Sequence, residues 1–229
     1  LSFLPLAGSA FCRDHAPMQI SILTFPGLTA LDAVGPYEVF RSVPNWEVFF
    51  VGKERGEVRT DVGSLGLTVD HDFAERPEAD VVLVPGGEGN RALMEDEETL
   101  AWLRHADGGT RWTTSVCTGS LVLGAAGLLT GRKATGHWLY LDGLKEFGAD
   151  PVGGRWVEDG KYLTAAGVSA GIDMALYLVG KEVGPEFAQA IQLAIEYDPQ
   201  PPFDAGSPEK APASVVELVR AYESASARG

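Results

Sequence analysis

Residues 79–84 read Ala-Asp-Val-Val-Leu-Val, and this apolar run stops abruptly at Pro85-Gly86-Gly87. A strand with one wet face alternates polar and apolar residues; this one does not. It reads as a strand buried on both faces, which belongs to a parallel sheet covered by helices on either side. The remainder of the chain repeats that logic. Further strands are predicted over 19–25, 46–51 and 111–116, and a weaker one over 161–165. Between them lie segments of helical spacing. One is 28–42, with apolar Leu31, Val34, Val39 and Phe40 at helical spacing and Pro36 early, where a helix tolerates it best. Another is 96–106, with Leu100 and Leu103 inward; two more span 118–129 and 170–183. Residues 59–70, with Gly63 and Gly66, read as an irregular ribbon. Strands alternating with helices predict a single α/β domain over 18–229. In such sheets the ligand sits beyond the carboxyl ends of the strands. That rule points to the segments 25–35, 84–90 and 115–120.

Composition narrows the classes of function. With 18 Lys and Arg against 32 Asp and Glu, the formal net charge is −14. Such a balance excludes a general nucleic-acid or anionic-membrane binder, which needs a basic face. Two cysteines, Cys12 and Cys117, exclude a disulfide framework and a thiolate zinc site. No stretch reaches the ~18 apolar residues that span a bilayer. Residues 1–17 differ in character from the remainder of the chain: they start with Leu, lack a basic segment, and carry Pro5 and Phe11 before Cys12. They read as an extension outside the fold rather than a targeting segment. Residues 211–229 read as an amphipathic helix that frays at its end.

Cys117 is the sharpest chemical signal. It closes one predicted strand and opens the next helix, within Ser115-Val116-Cys117-Thr118-Gly119-Ser120. A tight strand-to-helix turn lifts a side chain above the sheet, as in nucleophile elbows. The helix start would also favour a thiolate. The plainer alternative is an inert, buried, small apolar residue. Gly86 and Gly87 permit a close backbone approach to a ligand, and their amides could meet a developing anion; a simple turn is the alternative. A phosphate loop is excluded, because Pro85-Gly86-Gly87-Glu88-Gly89-Asn90 lacks the Lys-Ser/Thr ending. Asp32 sits among apolar neighbours. It reads either as a helix N-cap or as a desolvated acid tuned for proton transfer near neutral pH, and the two roles can coexist. Of four histidines, His15 lies in the extension, His105 on a polar helix surface, and His71 in a solvated turn without a third metal ligand. His137 alone lies near the other candidates, as a structural or a substrate-facing residue.

Three segments in order carry a resemblance: the elbow SVCTGSLVLGAAGLLTGRKATGHW, the strand end VPGG, and LDAVGPYEVF. A late segment, residues 196–208 (EYDPQPPFDAGSP), adds to them. Together these resemble the ThiJ/PfpI superfamily, and within it the branch that hydrates isonitriles to N-substituted formamides. The resemblance covers about residues 19–212. It implies a flavodoxin-like three-layer sandwich with a mostly parallel central sheet, a cytoplasmic homodimer, and no metal or organic cofactor. It implies Cys117 as nucleophile and Asp32 as its acid–base partner, with Thr118 at the elbow. Gly86, Gly87 and His137 would then face a small-molecule isonitrile. Asp32 and Thr118, where many members carry Glu and His, point away from the peptidase-like branch. The alternative is a cysteine-based redox or stress sensor, or a regulatory relative. The short stretch after Pro212 leaves no room for a helix-turn-helix domain, so no nucleic-acid partner is expected.

Overall fold

The computed structural model describes residues 16–76 and 78–226. The predicted extension therefore lies outside the described residues, except for Ala16 and Pro17, and Cys12 and His15 fall there too. The chain divides into two compact units, one ending at Ala194 and one starting at Ile195.

The first unit is built on a seven-stranded sheet. Its strands are β1 (Met18–Leu23), β2 (Trp46–Gly52), β5 (His71–Asp72), β6 (Val81–Val84), β7 (Trp112–Val116), β10 (Trp156–Asp159) and β11 (Tyr162–Ala165). They lie in the order β10-β11-β7-β6-β1-β2-β5. Only β10 runs antiparallel to its neighbour, β11. All four residues of β6 and all five of β7 are buried, as expected for strands covered on both faces. The cover comes from α1 (Ala30–Phe40), packed on α5 (Ala170–Glu182), which in turn meets α6 (Pro185–Ala194), and from the short α2 (Asn90–Leu93), α3 (Glu97–Asp107) and α4 (Gly119–Ala125). No described helix is long and apolar enough to cross a membrane.

The chain leaves β1 in one direction, through α1 to β2. It later returns to place β6 on the other flank of β1. Between these excursions β3 (Gly56–Arg59) and β4 (Gly66–Val69) form a separate antiparallel hairpin, where an irregular ribbon was expected. The register pairs Gly56 with Val69 and Arg59 with Gly66, so of the ribbon's two glycines Gly63 falls inside the turn, at φ 74°, and Gly66 opens β4. His71, expected in a solvated turn, opens β5 instead and sets its ring edge-on to Phe49 at 5.3 Å. A small parallel pair, β8 (Lys133–Ala134) and β9 (Asp150–Pro151), flanks a 3-10 helix at Leu141–Phe147.

Two helices depart from expectation. The cap of α1 is Thr29, so Pro36 falls well inside the helix rather than in its first turn. Its ring packs where Gly171 of α5 has no side chain; a Cβ there would stand 3.0 Å from Pro36 Cγ. Of the apolar residues at helical spacing, Leu31 is 43% exposed, while Val39 and Phe40 are fully buried. Helix α4 ends at Ala125 rather than near 129, because Gly127 takes a left-handed φ of 80° and Leu128 N–H turns back to Leu123 O. The second unit carries α7 (Ala213–Ser226), which opens after Pro212, and residues 199–208 form no strand.

Packing leaves no room for a side chain where β7 turns into α4. A Cβ on Gly119 would stand 2.0 Å from Val84 O and 2.8 Å from Pro85 O, both backbone atoms that cannot step aside. Gly119→Ala should therefore destabilise by about 2 kcal/mol, a typical overpacking penalty. For a chain of this size that is roughly 4–8 °C in melting temperature. A thermal scan of the variant matching wild type would show that this close approach does not hold the turn.

Candidate active site

Cys117 follows directly on β7. Its N–H is held by Ala165 O at 3.2 Å and Ala166 O at 2.8 Å, at the end of the neighbouring strand β11. The residue itself adopts φ 59°, the left-handed region that a side-chain-bearing residue enters only under constraint. The strand-to-helix elbow read from sequence is therefore present. Cys117 is a free cysteine, and only 6% of its surface reaches solvent.

Asp32 comes from the first turn of α1 and is fully buried. It is not the helix cap. That place belongs to Thr29, whose own hydroxyl donates to Asp61 Oδ2 at 2.9 Å. Instead, Asp32 Oδ2 accepts the Gly86 N–H at 2.8 Å, across from β6. The acid also meets the Cys117 thiol. Gly86 lies between the two groups: a Cβ there would stand 2.8 Å from Asp32 Oδ2, from Cys117 Cβ and from Thr118 N alike. Only glycine can occupy that position with its amide still aimed at the acid.

Burial decides the protonation of the pair. Loss of solvent pushes the Asp32 carboxyl up to about 7; the Gly86 amide and the thiol work against that rise, and Asp61 adds to it. The same loss, together with the charge of Asp32, pushes the Cys117 thiol up to about 12. The expected thiolate-favouring effect of the helix start is thus overridden. Three donors still oppose the rise: the N–H groups of Val168 and Thr118, and the Thr118 hydroxyl. The resting pair near neutral pH carries a thiol beside a carboxyl that is partly ionised.

The remaining sequence candidates are brought to the same place, with altered tasks. Gly86 N–H is engaged by Asp32, and Gly87 N–H donates to Thr118 Oγ1 at 3.1 Å. These amides, expected to meet substrate, hold side chains of the protein instead. Thr118 also accepts from Asn90 Nδ2 at 2.9 Å. His137 N–H donates to Cys117 O at 3.2 Å, and its Nδ1 accepts the Leu139 N–H at 3.4 Å. With Nδ1 engaged as an acceptor and burial lowering its pKa, the ring is neutral and carries its proton on Nε2. Sequence reasoning missed Asn90 and Val168. Asn90 ends the glycine-rich run and could have been noticed there; Val168 acts through its backbone and leaves no signal in residue type. A cavity of about 540 Å³, lined by Leu23, Phe25, Val58, Phe73 and Leu93 among others, does not include Asp32 or Cys117 and so lies apart from this chemistry.

The DJ-1/PfpI family model matches residues 18–181, which contain every one of these groups. The chain belongs to the DJ-1/PfpI family. It is 49% identical to an isonitrile hydratase of Pseudomonas putida over 203 residues, 89% of each chain. A crystal structure of a ThiJ/PfpI family protein from Pseudomonas syringae superposes with a TM-score of 0.86 and 42% identity, covering 90% of this chain and 87% of that one. The flavodoxin-like architecture is thereby established. A transcriptional regulator of Pseudomonas aeruginosa, CdhR, is 33% identical over 72% of this chain, but only 51% of that regulator is covered.

The raised Asp32 pKa makes stability depend on pH with a definite sign. The folded state keeps a proton that the unfolded chain releases above about pH 4. That stabilisation is complete below the unfolded value and is lost as pH rises through about 7. Asp32→Asn has no such proton. Between about pH 5 and pH 8, wild type should lose about 2–3 kcal/mol relative to the variant, at ~1.4 kcal/mol per pKa unit. Urea unfolding of both proteins at the two pH values measures this, and parallel stabilities would contradict a buried, protonated Asp32.

Proposed function

We propose that this protein hydrates isonitriles to N-substituted formamides, with Cys117 as nucleophile and Asp32 as the proton carrier. The observation that carries the reading is the buried Asp32–Cys117 pair around Gly86. The 49% identity to an isonitrile hydratase across nearly the whole chain supports the substrate class.

The chemistry follows from the protonation of the pair. Asp32 carboxylate takes the thiol proton and delivers it to the terminal carbon of the isonitrile, while the sulfur bonds to that same carbon. The result is a thioimidate, R–N=CH–S–Cys117, in which the isonitrile carbon has inserted into the S–H bond. Asp32, ionised again, draws a proton from water and passes it to the imidate nitrogen as hydroxide adds to the carbon. Collapse of the tetrahedral carbon breaks the C–S bond, returns the hydroxyl proton to sulfur and releases R–NH–CHO. Division into two steps is the usual gain of covalent catalysis. One carboxyl serving as acid and then base needs a pKa near working pH, and burial at about 7 supplies it. Gly86 and Gly87 hold Asp32 and Thr118 in place, Thr118 supports the sulfur, and the neutral His137 Nε2–H lies beside the elbow as a donor for substrate.

The redox-sensor alternative is disfavoured by the same observation. Oxidation follows thiolate character and exposure, and the Cys117 thiol is buried and weakly acidic. A free-thiol nucleophile suits a reducing compartment, which favours the cytoplasm. Assembly as a homodimer belongs to the same reading; sedimentation should give a species heavier than the 24.4 kDa chain, and a 24.4 kDa species alone would count against it.

Turnover of an alkyl or aryl isonitrile to its formamide, with no added metal or cofactor, tests the reading. Cys117→Ala should bring hydration to background with the fold intact. Asp32→Asn should lose at least ~10²-fold in rate, the lower range for a positioned proton carrier. Its thiol should nevertheless react faster with iodoacetamide than wild type at the same pH, because a charge that raises the thiol pKa has gone. Near wild-type turnover in Asp32→Asn would sink this mechanism.

A further inference from the structure

We infer that Asn90 is a positioning residue: by filling the second acceptor site of the Thr118 hydroxyl, it turns that hydroxyl's proton onto Cys117 Sγ. A threonine hydroxyl offers two lone pairs and one proton. Gly87 N–H takes one lone pair at 3.1 Å, and Asn90 Nδ2 takes the other at 2.9 Å. With both acceptor directions filled, only the O–H direction is left for the sulfur of the adjacent Cys117, whose rise in pKa the Thr118 hydroxyl opposes. Without Asn90 a lone pair is open and the hydroxyl can rotate away.

Packing does not account for this side chain. Asn90 is 3% exposed at the start of α2, and its Oδ1 is buried with no hydrogen-bond partner among the described residues. An apolar residue of the same size would avoid that orphaned acceptor. What the amide supplies and an apolar residue cannot is the donor on Thr118. The directed hydroxyl matters most when the sulfur carries negative charge, since hydrogen bonds to ions are the stronger class. Asn90 would thereby ease removal of the thiol proton without touching substrate itself.

The inference rests on Cys117 as the reactive group of the proposed function, and its test does not need an isonitrile. The rate of Cys117 alkylation by iodoacetamide is measured near pH 8 for wild type, Asn90→Leu, Asn90→Asp, Thr118→Val and the double variant Asn90→Leu/Thr118→Val. Asn90→Leu should slow alkylation about fivefold, the scale of one ordinary net hydrogen bond, because the Thr118 hydroxyl is freed to rotate rather than removed. Thr118→Val should slow it by as much or more. The double variant should be no slower than Thr118→Val alone, because Asn90 acts only through that hydroxyl. Asn90→Asp keeps the shape while placing an acceptor where the donor was, so it should slow alkylation too; it carries the comparison should circular dichroism show Asn90→Leu to be misfolded. Alkylation of both Asn90 variants at the wild-type rate, or a further slowing in the double variant, would overturn the inference. Should wild type leave isonitriles untouched while the alkylation pattern holds, the substrate reading fails and the role of Asn90 stands.

Discussion

Everything at the candidate site depends on one backbone amide. Gly86 N–H meets Asp32 Oδ2 at 2.8 Å, in a gap with no room for a Cβ. That contact ties the end of β6 to the first turn of α1 and places the acid against the elbow that follows β7. It also supplies the single described N–H on a carboxyl that has left water. An acid held by one amide and one thiol, with no cation beside it among the described residues, remains near the balance between its two forms, and that balance is what acid–base chemistry in both directions requires. A lysine or arginine in the same place would have fixed it as a permanent carboxylate.

Much of the architecture is legible because buried parallel strands declare themselves. Residues 79–84 and 111–116 are rich in apolar or small residues, and both segments hold central strands buried along their length. Errors fall where a single residue has to decide between two local structures. Local spacing puts Pro36 in a first turn, yet it sits deep in α1, because a missing side chain at Gly171 on the facing helix receives its ring. Such a pairing across more than a hundred residues has no trace in local periodicity. The ribbon at 59–70 belongs to a regular hairpin for a similar reason: its register joins residues at its two ends, and composition records only its glycines.

The site is legible in its identities and not in its electrostatics. Cys117, Asp32, Thr118 and the glycine pair stand together as the sequence suggests. The state of the sulfur is not legible, because a helix start can be read from sequence and the depth of burial cannot. A helix of seven residues offers a modest field, whereas the loss of solvent and the neighbouring carboxyl act directly on the sulfur. Asp32 is ambiguous between cap and acid for a related reason: Thr29, three residues earlier, has the better backbone geometry for capping. Val168 contributes only its N–H, so no reading of side chains could have found it.

The distance along the chain between the groups that meet here has a consequence for biosynthesis. Asp32, Gly86, Cys117 and Val168 come together only when β1, β6, β7 and β11 have paired, and parallel pairing is slow because each crossover must close first. Until then the Cys117 thiol has the ordinary acidity of an unstructured peptide and stands open to solvent. The nascent chain is therefore more prone to oxidation and mixed disulfides than the finished enzyme. Burial at the end of folding retires that hazard at the moment it creates the proton-carrying pair, so the cellular reductants that guard such thiols matter most in the interval before the sheet closes.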